Sequence, residues 1–103
     1  MNSYKDNYEL VRKFVSVFFN NEFYVNAIKN ARNSIANNAK SQADWLKISS
    51  IIQNRQLEPG QPLNLVNNDA NQVIDENSDE EAYVWLDKMV YNVERTDGKI
   101  EEY

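Results

Sequence analysis

The stretch SDEEAYVWLDKMVYNVE, Ser78–Glu94, decides how the rest of the chain is read. Ser78 is a helix-capping residue and Glu81 follows it three positions later. That is the capping-box spacing, in which two side chains satisfy backbone N–H groups that the helix itself leaves free. Ala82, Trp85, Leu86, Met89, Val90 and Val93 then recur at the three- and four-residue intervals of one helical face. A helix with so continuous an apolar stripe must be covered by other elements. Its far side is different. Glu80, Tyr83, Asp87, Tyr91 and Glu94 fall together there, making a line of acids with two tyrosines. Tyrosine supplies large contact area at low entropic cost, so this face reads as a surface that meets a partner. Asp79 and Glu81 have a simpler explanation, because carboxylates at a helix N-terminus are favoured by its dipole.

Composition extends the helical reading to the whole chain. Its 103 residues make one domain. A domain of this size buries roughly 65% of its unfolded surface, enough for one modest core. Two Gly and two Pro are too few for the many turns of an all-β fold. The expected fold is all-α, a single bundle of about five helices joined by short loops. There is no cysteine, which fits a reducing cytosol. The segment MNSYKDNYEL has neither the basic start nor the apolar run of a signal peptide. No apolar run approaches the roughly 20 residues of a membrane span. A soluble cytoplasmic protein without membrane contact is expected.

Along the chain, a first helix is expected over 7–20, capped by Asp6 or Asn7. Tyr8, Val11, Val15 and Phe18 follow one face and Leu10, Phe14 and Val17 an adjacent one, the pattern of a well-buried helix. A second is expected over 22–38, with Tyr24, Ala27, Ile28, Ala31 and Ile35 inward and Arg32 on a solvated outer face. Ser41 is expected to start a third, with Asp44 at the capping-box position, ending near Arg55. Trp45, Ile48, Ile51 and Ile52 face its core side. Pro59-Gly60 suits the central positions of a type II turn. Leu65, Val66, Ala70, Val73 and Ile74 keep a helical period that Asn64 could cap. Trp45 and Trp85 both read as core, and Ile100–Tyr103 as a short, frayed acidic tail.

Charge is divided unevenly. Residues 1–55 carry eight Lys and Arg against four acids, net +4, whereas residues 56–103 carry three against twelve, net −9. The second half repels phosphates, so nucleic acid is not expected as a direct ligand. It attracts a basic partner and speeds that encounter. Without His or Cys the chain lacks Ser–His and Cys–His machinery and the usual zinc and haem ligands. No Gly-rich phosphate loop and no EF-hand spacing of acids is present. No enzymatic activity, metal or cofactor is expected.

The opening YELVRKFVSVFFNNEF, Tyr8–Phe23, resembles the tyrosine–leucine–aromatic start of bacterial immunity proteins. The block Leu63–Glu94 resembles helical immunity proteins paired with toxins of contact-dependent growth inhibition systems. Its LVN (65–67), AN (70–71), DE (75–76), EEA (80–82) and WLDKM (85–89) carry the likeness. The resemblance implies a protein that binds a cognate toxin domain one-to-one and neutralises it in the producing cell. Many such toxins are nucleases, often ribonucleases, whose phosphate-binding sites are basic, so an acidic inhibitor is the expected complement. The resemblance assigns no contact residues. The helical wheel and the clustering of acids select Asp69, Asp75, Glu76, Glu80, Tyr83, Asp87, Tyr91 and Glu94. A small helical adaptor or regulatory module without toxin involvement is the alternative.

Overall fold

The computed structural model describes residues 4–72, 74 and 77–102. Five helices run through them: α1 Tyr4–Phe19, α2 Tyr24–Asn37, α3 Ala39–Gln53, α4 Gln61–Asn64 and α5 Asp79–Glu94. A π-helical turn, Leu65–Asp69, continues α4. No strand occurs among the described residues, so the fold is the all-α bundle expected. The radius of gyration, 12.6 Å, matches the roughly 13 Å of a folded chain this long.

Helix α5 is the element on which the bundle is assembled. Ser78 Oγ accepts from the Glu81 N–H at 3.1 Å, as the capping spacing predicts. All six residues of the predicted stripe are buried, and the stripe packs against α2, α3, α4 and the π turn. Trp85 has no exposed surface. Its ring meets Phe19 of α1 edge-on at 5.0 Å and Tyr24 of α2 at 5.8 Å. Trp45 is buried too, 5.1 Å from Phe14.

Several boundaries shift from those the sequence predicts, each for a local reason. Asn7 is not a cap. It lies inside α1, buried, and donates from Nδ2 to the Gln56 carbonyl at 2.9 Å. Helix α2 begins at Tyr24, and Glu22 accepts from the Phe23 N–H just ahead of it. The cap of α3 is Asn38, whose side chain accepts from the Ser41 N–H at 3.1 Å, so Ser41 sits inside the first turn. Asp44 instead pairs with Lys40 one turn back, at 2.9 Å. At the far end of α3 the Arg55 N–H reaches the Ile52 carbonyl and the Gln56 N–H the Ile51 carbonyl. These two bonds define a Schellman motif, and its left-handed position is held by Arg55 at φ 54 rather than by glycine.

Pro59-Gly60 forms the type II turn: Gly60 has φ 87, ψ −23, and the Gln61 N–H returns to the Glu58 carbonyl. The next helix starts at once, with Pro62 in its first turn, where a missing N–H costs nothing. It therefore runs through Asn64, which caps nothing, and ends at Asp69, before a left-handed Asn71. Leu65, Val66, Ala70 and Ile74 are buried as their spacing predicts, while Val73 lies outside the described residues.

The tail is docked rather than frayed up to Glu101. Ile100 packs on the core, and Asn92 of α5, fully buried, exchanges two hydrogen bonds with the backbone of Glu101. Arg32 is not solvated. Its guanidinium donates to the Asn92 carbonyl at 2.6 Å and the Lys99 carbonyl at 2.7 Å, placing a cation on the C-terminal end of α5, where the dipole favours it. Nor is α1 buried all round. Val11, Val15 and Phe19 are enclosed, but Val17 is 73% exposed.

Candidate binding face of helix α5

The outer line of α5 is set by the register of its core stripe: once Trp85 and Met89 point inward, Glu80, Val84, Asp87 and Tyr91 must point outward. Val84 and Tyr91 are exposed to 49% and 50%, so this face presents apolar area among its carboxylates. Val84 is missing from the sequence-derived set, although the helical wheel places it next to Tyr91 at the edge of the outer line.

The chain supplies cations to much of this line. Arg55, at the end of α3, grips Asp87 through both terminal nitrogens at 2.7 Å. The same guanidinium lies 4.2 Å above the Tyr83 ring. The Tyr83 phenol is pushed up, first by burial, with Arg55 pulling the other way. Directly after the helix, Arg95 covers the Tyr91 ring at 5.0 Å and is itself held by Asp97 at 2.7 Å. That contact lowers the Asp97 carboxyl below the usual range. Both tyrosines of the line therefore carry an arginine over their faces, an attraction between the cation and the ring quadrupole.

Three acids have structural duties. Glu94 accepts the Trp45 Nε1–H at 3.0 Å and joins α5 to α3. Asp69, half-buried, accepts from the Tyr8 hydroxyl at 3.0 Å, and its carbonyl accepts from Asn20, so it anchors the π turn to α1. Burial pushes the Tyr8 phenol up, and Asp69 reinforces this. Asp79, read from sequence as a dipole-stabilising residue of α5, also accepts the N–H groups of Gly60 and Leu63, capping the start of α4. Glu80 is exposed and takes no ion-pair partner among the described residues. Asp75 and Glu76 lie outside the described residues.

The sequence-derived set thus divides. Glu80, Tyr83, Asp87, Tyr91 and Glu94 do share the outer side of one helix. Of these, Glu80, Asp87, Tyr91 and Glu94, with Val84, offer accessible surface, although Asp87 is held by Arg55 and Glu94 accepts from Trp45; Tyr83 is half-buried beneath Arg55. Asp69 belongs to a different contact, between α1 and the π turn. No group of three or more Asp and Glu side chains that could hold a metal occurs among the described residues. No described helix is long and apolar enough to cross a membrane. Comparison with protein-family models, with curated proteins and with solved structures finds no match.

Proposed function

We propose that this protein is a cytoplasmic immunity protein that binds a basic nuclease toxin domain one-to-one and occludes its active site. One observation carries the reading. The half of the chain with net charge −9 contributes α5, and α5 turns Glu80, Asp87, Val84 and Tyr91 outward on one face. A basic cleft meeting this face gains long-range attraction from the acids and buried area from Val84 and Tyr91. Asp87 enters the contact already holding Arg55. A partner cation must share or displace that guanidinium, which makes the contact selective for cations placed to do so.

The test is co-purification of the chain with the toxin domain encoded beside its gene, followed by a nuclease assay with and without it. Glu80→Lys combined with Asp87→Lys should abolish protection while the helical circular dichroism of the isolated protein is kept. Full protection by that double variant would move the interface away from α5.

A further inference from the structure

Helix α1 carries two apolar stripes, and the fold encloses one of them. Val11, Val15 and Phe19 are fully buried, while Leu10, Phe14 and Phe18 remain partly open and Val17 is 73% exposed. This second stripe forms one wall of a groove of about 350 Å³, closed by Ile35 of α2 and Ile48 of α3. Phe14 and Phe18 stand 4.9 Å apart along that wall. The volume falls at the lower end of the range for small-molecule sites, roughly 300–1,000 Å³.

The polar groups of the groove have one sign in surplus. Lys13, Lys40 and Asp44 are its charged lining. Asp44 is held by Lys40 at 2.9 Å, which leaves Lys13 without an ion pair among the described residues. Glu9, the acid one turn before Lys13, is taken by Arg12 at 2.8 Å. An apolar floor with one ammonium outside any ion pair is complementary to a molecule with an apolar body and a negative head. A second copy of this chain fits less well, because each copy of this face, with Lys13 and Lys40 against Asp44, brings a surplus of one positive charge to the contact.

We propose that the groove between α1, α2 and α3 binds a small amphipathic anion, an alkyl or aryl carboxylate, with its body on Phe14, Phe18 and Ile48 and its head at Lys13. The site lies apart from the α5 face and stands whether or not that face binds a toxin.

The experiment uses the whole protein and the fluorescence of N-phenyl-1-naphthylamine, a neutral reporter of apolar sites. The reporter should brighten on binding. Decanoate should displace it, and decyltrimethylammonium, both used below their micellar concentrations, should not. Lys13→Gln should keep the reporter signal and weaken decanoate about tenfold, the effect of roughly 1.4 kcal/mol. Val17→Asp alters an exposed position, so it should keep the circular dichroism and abolish the reporter signal. No brightening, equal displacement by the cationic amphiphile, or unchanged decanoate affinity in Lys13→Gln would overturn the proposal. So would a concentration-dependent dimer that Val17→Asp dissociates, which would assign the groove to a second copy.

Discussion

Arg55 and Asp87 meet through two parallel hydrogen bonds of 2.7 Å, joining the C-terminal cap of α3 to the outer face of α5. Arg55 occupies a left-handed backbone position to do so. An L side chain there costs roughly 1–2 kcal/mol, and glycine would remove that strain. The side chain is thus retained against a local penalty, and what it contributes is the grip on Asp87 and the cover of Tyr83. Both charged side chains are nearly half exposed, so the pair itself is worth less than about 1 kcal/mol.

Arg55→Gln should therefore change binding more than stability. The glutamine keeps the same backbone strain, removes one positive charge beside Asp87 and leaves that carboxylate open. If α5 meets a basic toxin, the association rate should rise, most at low salt, where screening is weakest. Stopped-flow mixing at two ionic strengths reads this directly. A slower association would mean that Arg55 itself touches the partner.

Glu94 provides the contrasting case. Its carboxylate accepts from the Trp45 indole, so its place on the acidic line is structural. Glu94→Gln keeps an acceptor oxygen and should leave the melting temperature nearly unchanged. Glu94→Ala should lower stability by about 1 kcal/mol, the typical net worth of a hydrogen bond. Urea melts followed by tryptophan emission compare the two. Equal losses in both variants would show that charge, not the hydrogen bond, holds α5 to α3.

These two residues also mark the limit of what the sequence discloses. The register of α5 was legible because six apolar residues keep one period over its length, and such a stripe has one way to face a core. The outer line was legible as a line for the same reason. What each of its members touches was not, because Arg55 precedes Asp87 by 32 positions and Trp45 precedes Glu94 by 49. Contacts at that separation depend on helix packing, on which a single helix's periodicity is silent. The caps show the same limit at short range. Ser78 was legible because Glu81, three positions on, completes a capping box that singles it out from Asn77 and Asp79. At 37–41 several residues could cap, and Asn38 takes the role from Ser41. Arg32 and the tail were misread because a polar residue on an outer face looks solvated until another segment crosses it.

Asn92 is the polar residue whose loss the fold should feel most. It is fully buried, and its amide donates to the Tyr24 hydroxyl at 2.9 Å and the Glu101 carbonyl at 2.7 Å while accepting from the Glu101 N–H. Asn92→Ala would take the partner from three part-buried groups, the Tyr24 hydroxyl and the N–H and carbonyl of Glu101. Leaving such groups unpaired costs about 1–3 kcal/mol each, less where water can enter. The expected outcome is a clear fall in melting temperature together with faster hydrogen exchange of the Glu101 amide. An unchanged exchange rate at Glu101 would show that Ile100, not Asn92, holds the tail.

Tyr24 gives the fold an alkaline limit. Burial pushes its phenol up to about 12, with Glu101 adding to the shift and the Asn92 hydrogen bond opposing it. In the unfolded chain the phenol ionises near its ordinary value, about 10. A raised folded value means that the native state holds the proton more tightly, so its contribution is complete below about pH 10. Between about pH 10 and 12 the unfolded state loses its proton first, and stability must fall as pH rises through that window. Tyr24→Phe has no proton to lose and should flatten that part of the profile, although it also removes the oxygen that accepts from Asn92 and so begins from a lower stability. Urea melts of both proteins at several pH values between 8 and 11.5 separate the two effects: the offset at pH 8 is the lost hydrogen bond, and the difference in slope above pH 10 is the buried phenol. Parallel profiles would place the alkaline loss elsewhere, with Tyr8 and Tyr83, whose phenols are raised in the same direction, as the next groups to replace.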